Sequence, residues 1–254
     1  MKLPAGPGTP ASDGVDALAD ATAACRSVST ISAEIAVSGS VGGQRLRGRI
    51  VAGLAPPSSA RLEAVAPFGQ PLFIFVARED DATLLLPRDN RVLEHGASDT
   101  VLEAVTGVPL DAAALRLALT GCTSLSADAA HATEVGTNWR LLPDGQTNVY
   151  LRRDGKTGRW RVAATVYRAS PSAAGRTGGT PWRAEYGDVQ AVGLPRSIRF
   201  ISSERDRFDL RLTLSQVDVN VPLAAGVFRV QVPRDAEPIT VDELRRARPG
   251  VREN

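Results

Sequence analysis

Apolar and polar positions alternate with a period of two along most of the chain, the pattern of half-buried strands. From Thr30 to Val92, Ile31, Ala33, Ile35 and Val37 fall on one side, and Ser32, Glu34 and Ser38 on the other. In the next segment Leu46, Gly48 and Ile50 face one way and Arg45, Arg47 and Arg49 the other. Turns are marked by "GG", "PP", "FGQP", "EDD" and "RDN", so residues 30–94 read as consecutive antiparallel strands. The alternation resumes over 137–232. There Trp160, Val162, Ala164 and Val166 share a face, as do Phe208, Leu210, Leu212 and Leu214, and "GVFRVQVP" reads as the last strand.

Helical spacing interrupts this pattern in three places. "DGVDALADATAACRSV" carries Val15, Leu18, Ala19, Thr22 and Cys25 on one stripe, which predicts a helix over 14–28 with Asp13 as N-cap. Two helices are expected near 98–106 and 111–119, with Ser98 and Pro109–Asp111 as start signals. Between Leu110 and Leu119 the only charges are Asp111 and Arg116. A helix this apolar covers something apolar. "TVDELRRAR" predicts a polar helix at 240–248. Residues 1–13, rich in Pro, Gly, Ala and Ser, cannot bury enough surface to fold and read as a disordered tether. Residues 14–254 read as one mainly β domain with helices (α+β). Ten or eleven sequential strands are most simply one strongly curved antiparallel sheet, its concave side filled or covered by the helices.

Composition narrows the function. Thirty basic and 28 acidic residues leave a charge of +2. No basic cluster interleaves with aromatics, so nucleic acid is not an expected partner. No run of about 18 apolar residues is present. No signal peptide precedes the N-terminal segment. Two readings follow: an export or lipidation signal has been removed, or the chain starts with a short natural disordered segment. Cys25 and Cys122 lack metal-ligand spacing. They are equally compatible with a disulfide in an oxidising compartment and with two buried thiols.

Catalytic patterns are poor. His131 with Glu134 lacks a second His. "DGKTG" lies between alternating strands and reads as a hairpin turn. No nucleophile elbow is present. No enzyme activity, metal or cofactor is expected. Inward positions are mostly Ala, Val, Ile, Leu and Gly. They either leave an apolar cavity or are filled by the helices. Phe68 sits at the turn "PFGQP", where it either projects as an apolar finger or folds back onto the sheet edge.

Three segments together resemble the LolA/LolB family of bacterial lipoprotein carriers, and the LolB-type outer-membrane receptor in particular. They are "SAEIAVSGSVGGQRLRGRIVAG", "LEAVAPFGQPLFIF" and "LEAVTGVPLDAAALRLALTG". The order and spacing agree over residues 15–122; from 139 to about 214 only a strand pattern agrees. The resemblance implies an incomplete β-barrel closed by a helical lid at 98–120, with an apolar cavity for lipoprotein acyl chains. It places Phe68 on the loop that carries an exposed leucine in the receptor, with a role in membrane insertion.

On that reading the candidate lining is Ile35, Val37, Leu46, Ile50, Leu62, Ile74, Leu102, Val105, Leu115, Leu119, Val162, Val166, Phe200 and Leu212. The implied partners are acylated lipoproteins or lipids, a periplasmic carrier protein and the outer-membrane surface, with the protein acting as a monomer. The implied location is the periplasmic side of the outer membrane, with a lipid anchor on a cysteine outside this chain. Alternatives are a carrier of another lipid or hydrophobic small molecule, and a non-transporting envelope lipoprotein that docks a protein. The C-terminal part is longer than in the receptor, and the loop "SPSAAGRTGGTP" has no counterpart in it.

Overall fold

A computed structural model describes residues 1–66, 71–123, 131–144, 147–168, 180–205 and 207–247. In chain order the first elements are β1 (Thr9–Pro10), α1 (Gly14–Arg26), β2 (Ile31–Val41), β3 (Gln44–Ala55), β4 (Ser59–Val65), β5 (Phe73–Arg78), β6 (Asp81–Leu86) and β7 (Arg91–Ala97). The helices α2 (Ser98–Thr106) and α3 (Ala112–Thr120) follow. Then come β8 (Thr133–Glu134), β9 (Trp139–Asp144), β10 (Thr147–Arg153), β11 (Trp160–Tyr167), β12 (Trp182–Tyr186), β13 (Ser197–Ser202) and β14 (Phe208–Val219). The chain ends on a 3₁₀ turn (Ala225–Phe228), β15 (Glu237–Pro238) and α4 (Val241–Ala247). The chain packs as two compact units: residues 1–27 with the described part of 117–205, and residues 28–116 with the described residues after 205.

The second unit is a sheet in the order β14-β2-β3-β4-β5-β6-β7-β15, antiparallel except for the short parallel β15–β7 contact. Its register explains its two faces, because cross-strand partners point the same way. One face carries the rows Leu214–Ile35–Ile50–Ala64–Phe73 and Ala33–Ala52–Leu62–Phe75–Leu84–Leu93. Most of these side chains are buried. Helix α2 packs over β5, β6 and β7, with Val101 and Leu102 fully buried. Gly107 ends α2 in the left-handed region, at φ 77°. A Cβ there would stand 2.5 Å from Val41 Cγ1, so only glycine allows this approach.

The opposite face is covered in part by the C-terminal segment. "GVFRVQVP" is not a strand: Ala225–Phe228 turns as a 3₁₀ helix. The carbonyls of Val227 and Arg229 accept hydrogen bonds from the Arg61 guanidinium, at 3.2 and 3.1 Å, instead of ladder N–H groups. Phe228 is buried where this turn packs on β4 and β5. α4 follows and opens with a capping box: Thr240 Oγ1 accepts the Glu243 N–H while the Glu243 carboxylate accepts the Thr240 N–H.

The first unit is an antiparallel sheet in the order β1-β8-β9-β10-β11-β12-β13. Thr9 and Pro10, within the segment expected to be an unfolded tether, pair with Glu134 and Thr133. Helix α1 packs on β9, β10 and β11. Asp13 precedes it, but its side chain makes no cap bond. Its carboxylate instead takes a two-pronged bond from Arg140, at 2.7 and 3.0 Å. The "DGKTG" segment is the expected hairpin turn between β10 and β11. The Asp154 carboxylate accepts the N–H groups of Lys156 and Thr157 there. Neither strand order returns to its first strand, so the mainly β class with helices and an unclosed antiparallel sheet is as the alternation predicts.

Candidate functional site

The lining candidates fall in both units. In the second unit, Ile35, Val37, Leu46, Ile50, Leu62 and Leu212 share the face that α2 covers at its β5–β7 end. Ile35, Val37, Leu62 and Leu212 are buried, while Leu46 and Ile50 are half-buried. Ile74 does not join them. It stands opposite Glu63 and Leu85, on the other face, one residue out of step with Phe73 and Phe75. In the run "LFIFVA" every residue is apolar, so alternation alone cannot decide which side faces inward. On the helices, Leu102 and Leu115 are buried and Val105 is half-buried.

The row Leu212–Val37–Gly48 is the most informative part of this face. Gly48 is exposed, and a Cβ built on it would meet nothing within 4 Å. Gly48 is flanked on its own strand by Leu46 and Ile50, on the same side. So the inner face is covered at β5–β7 and open at β3, among aliphatic side chains.

In the first unit the candidates part. Phe200 pairs with Ala184, which pairs with Thr165. It meets the edge of Trp182 at 5.7 Å, and Trp182 stacks on Tyr167 at 4.0 Å. Val166 pairs with Arg183 and so lies on the opposite face. Val162 pairs with Leu151, beyond an extra residue in β11 that breaks the alternation, and so lies with Val149 and Thr165 on the Phe200 side. Val162 and Leu119 are buried. Phe68 lies outside the described residues. Cys25 and Cys122 are joined by a disulfide with their Cα atoms 5.5 Å apart, which decides between the two readings left open above.

Sequence reasoning missed one cleft in the second unit. It holds about 220 Å³ and is lined by Val41, Glu103, Ala104, Val105, Gly107, Arg207 and Arg245. Arg207 bonds Glu103 across it at 3.0 Å. Val105 is the one lining candidate that reaches it. The residues come from four distant segments, and no local pattern marks them. Among the described residues no group of three His, Cys, Asp or Glu could hold a metal. No described helix is long and apolar enough to cross a membrane.

No protein-family model matches the chain, and no curated protein matches it. Solved structures similar to it include a DUF1329 family protein from Desulfovibrio piger, with 12% identity, 87% of this chain and 98% of that one covered and a TM-score of 0.47. A LolA superfamily protein from Nitrosomonas europaea has 10% identity, with 85% of this chain and 97% of that one covered and a TM-score of 0.47. LprF from Mycobacterium bovis has 12% identity, with 90% of this chain and all of that one covered and a TM-score of 0.35.

Proposed function

We propose that the protein binds acyl chains of lipoproteins on the open apolar face around Gly48 and hands them on to the outer membrane. The observation that carries the reading is the unfilled space at Gly48 between Leu46, Ile50 and Val37. Apolar surface left open in a folded chain marks a place where apolar matter docks. Each buried CH₂ contributes about 0.8 kcal/mol, so a long chain offers roughly ten kcal/mol gross. Aliphatic side chains without aromatic clamps give contact but little shape-locked packing. Release then needs only an acceptor of somewhat higher affinity, and transfer runs by differential binding. α2 and α3 act as the lid, and Phe68 touches the membrane during delivery.

The disulfide supports an oxidising compartment, and we place the protein on the periplasmic side of the outer membrane, lipid-anchored in its full-length form. The role is binding and transfer rather than catalysis. The test is co-elution with an acylated lipoprotein and with its unacylated form, for wild type, Gly48→Leu and Phe68→Glu. Gly48 has no left-handed φ, so leucine fits the strand. Acyl-dependent binding that falls at least tenfold in Gly48→Leu is expected. Phe68→Glu should bind the acylated form but fail to deliver it to vesicles. Full binding by Gly48→Leu would remove the open face from the mechanism. Uptake of free lipid with no lipoprotein binding would turn the reading to a carrier of another lipid.

A further inference from the structure

The opposite face of the same strands carries a second surface that the acyl-binding reading does not use. On β3, Arg45, Arg47 and Arg49 alternate outward and are exposed. Their spacing along the strand is roughly 7 Å. The neighbouring positions on β2 are Ser40, Ser38 and Ala36. On β14, Arg211 stands across Ser38 from Arg47, and it too is exposed. Four arginines therefore project from β3 and β14, on either side of β2, whose small side chains do not rise between them. Arg49 is bonded to Glu34 at 2.8 Å yet its side chain stays 62% exposed. Among the described residues no ion pair holds Arg45, Arg47 or Arg211. The acids on these rows are Glu34, paired with Arg49, Glu63, paired with Arg61, and Asp209.

Like charges on one strand repel, and an antiparallel sheet normally balances them with acids across the ladder. Here β2 offers serines and an alanine instead. At the β4 end of the stripe two valines stand among acids that are each held by an arginine, Glu34 by Arg49 and Glu63 by Arg61. Val65 is the cross-strand partner of Arg49, and Val51 lies two residues beyond it on β3. They are 38% and 46% exposed, among the few large aliphatic side chains left in water. Guanidinium groups beside exposed valines on a low-relief sheet match the headgroup layer of an anionic bilayer. The charges meet phosphates, and the valines meet the upper acyl region. An acidic protein would use the arginines but leave the valines wet.

We infer that this face docks the protein on anionic membrane lipid, with Arg45, Arg47, Arg49 and Arg211 on the headgroups and Val51 and Val65 at the apolar boundary. It goes beyond acyl binding and holds independently of it, because the two surfaces lie on opposite sides of β3. The experiment is flotation of the full chain with vesicles of phosphatidylcholine alone and with about 30% phosphatidylglycerol, whose negative surface potential attracts basic side chains.

Wild type should float with the anionic vesicles and not with the neutral ones, and 0.5 M salt, at which screening shortens to a few ångströms, should release it, as roughly expected of exposed charges. The variant R45Q/R47Q/R211Q should lose at least tenfold in vesicle binding while its binding of acylated lipoprotein is unchanged. V51S/V65S should lose binding with less change in salt dependence. Wild-type flotation that is insensitive to the glutamines overturns the inference. So does absence of wild-type flotation, including the case where the protein binds polyglutamate instead and the surface is one for acidic protein. If wild type floats but takes no acyl chain, the acyl reading fails and the docking surface stands.

Discussion

Gly107 does two jobs that no other residue can do at once. It ends α2 in a left-handed conformation and lets Val41 approach. Gly107→Val adds a Cβ where φ is 77° and where Val41 Cγ1 stands 2.5 Å away. The expected loss is about 1–3 kcal/mol in urea unfolding. Unchanged stability would mean that the end of α2 shifts without cost. Gly48 is the contrasting case. Its missing side chain relieves no contact, and what it leaves is open surface. Both glycines are plain in the sequence, but nothing local separates the one that a fold requires from the one that keeps a face open.

At the scale of elements, α1 is held by polar anchors as well as by its apolar stripe. The Arg140 guanidinium bonded to Asp13 holds that carboxyl below its ordinary pKa. The Trp160 N–H, followed by Arg159, does the same for Asp20. A carboxyl whose folded pKa is depressed contributes stability above its unfolded pKa, near 4, and loses it as pH falls through the lower folded value. Acidification from about pH 5 to about pH 3 should therefore loosen α1. Thermal unfolding should show a fall over that interval that is smaller in the Asp13→Asn/Asp20→Asn double variant. An equal fall in both proteins would assign the acid sensitivity elsewhere.

The other helices show how far local signals reach. Asp111 accepts the Ala114 N–H at 2.7 Å, as a start signal should. Ser98, read as the equivalent signal for α2, is buried with its hydroxyl unpartnered. The predicted last strand failed because Arg61, far away in sequence, supplies the partners for its carbonyls. Strand propensity cannot register such a competitor.

For the molecule as a whole, the longest constraint is Cys25–Cys122, which closes 97 residues of sequence. Linking positions that far apart removes much unfolded-state freedom, worth about 4.7 kcal/mol in the chain-entropy account. The Cys25→Ser/Cys122→Ser variant should unfold at correspondingly lower denaturant, and the wild type under reducing conditions should match it. A denatured, non-reduced sample that yields two reactive thiols would contradict the bridge. The sequence left the pairing open because thiol spacing carries no geometry. Only the fold brings the end of α1 and the segment after α3 within bonding distance.

The sequence by itself determined the mainly β class, the places of the four helices and the sidedness of β2, β3 and β14. These are local: a period of two, a period near 3.6 and capping residues suffice to encode them. It also marked most of the inner face, from Ile35 and Val37 to Leu62 and Leu212. The tertiary structure decided what periodicity cannot. In the all-apolar strand β5, register against Glu63 and Leu85 put Ile74 on the far side. In β11 and β13, pairing separated Val166 from Phe200. Coverage was settled the same way: α2 packs over β5–β7 and leaves Gly48 open. Which side of a strand is apolar is written in that strand, but what lies against it depends on chain segments a hundred residues away.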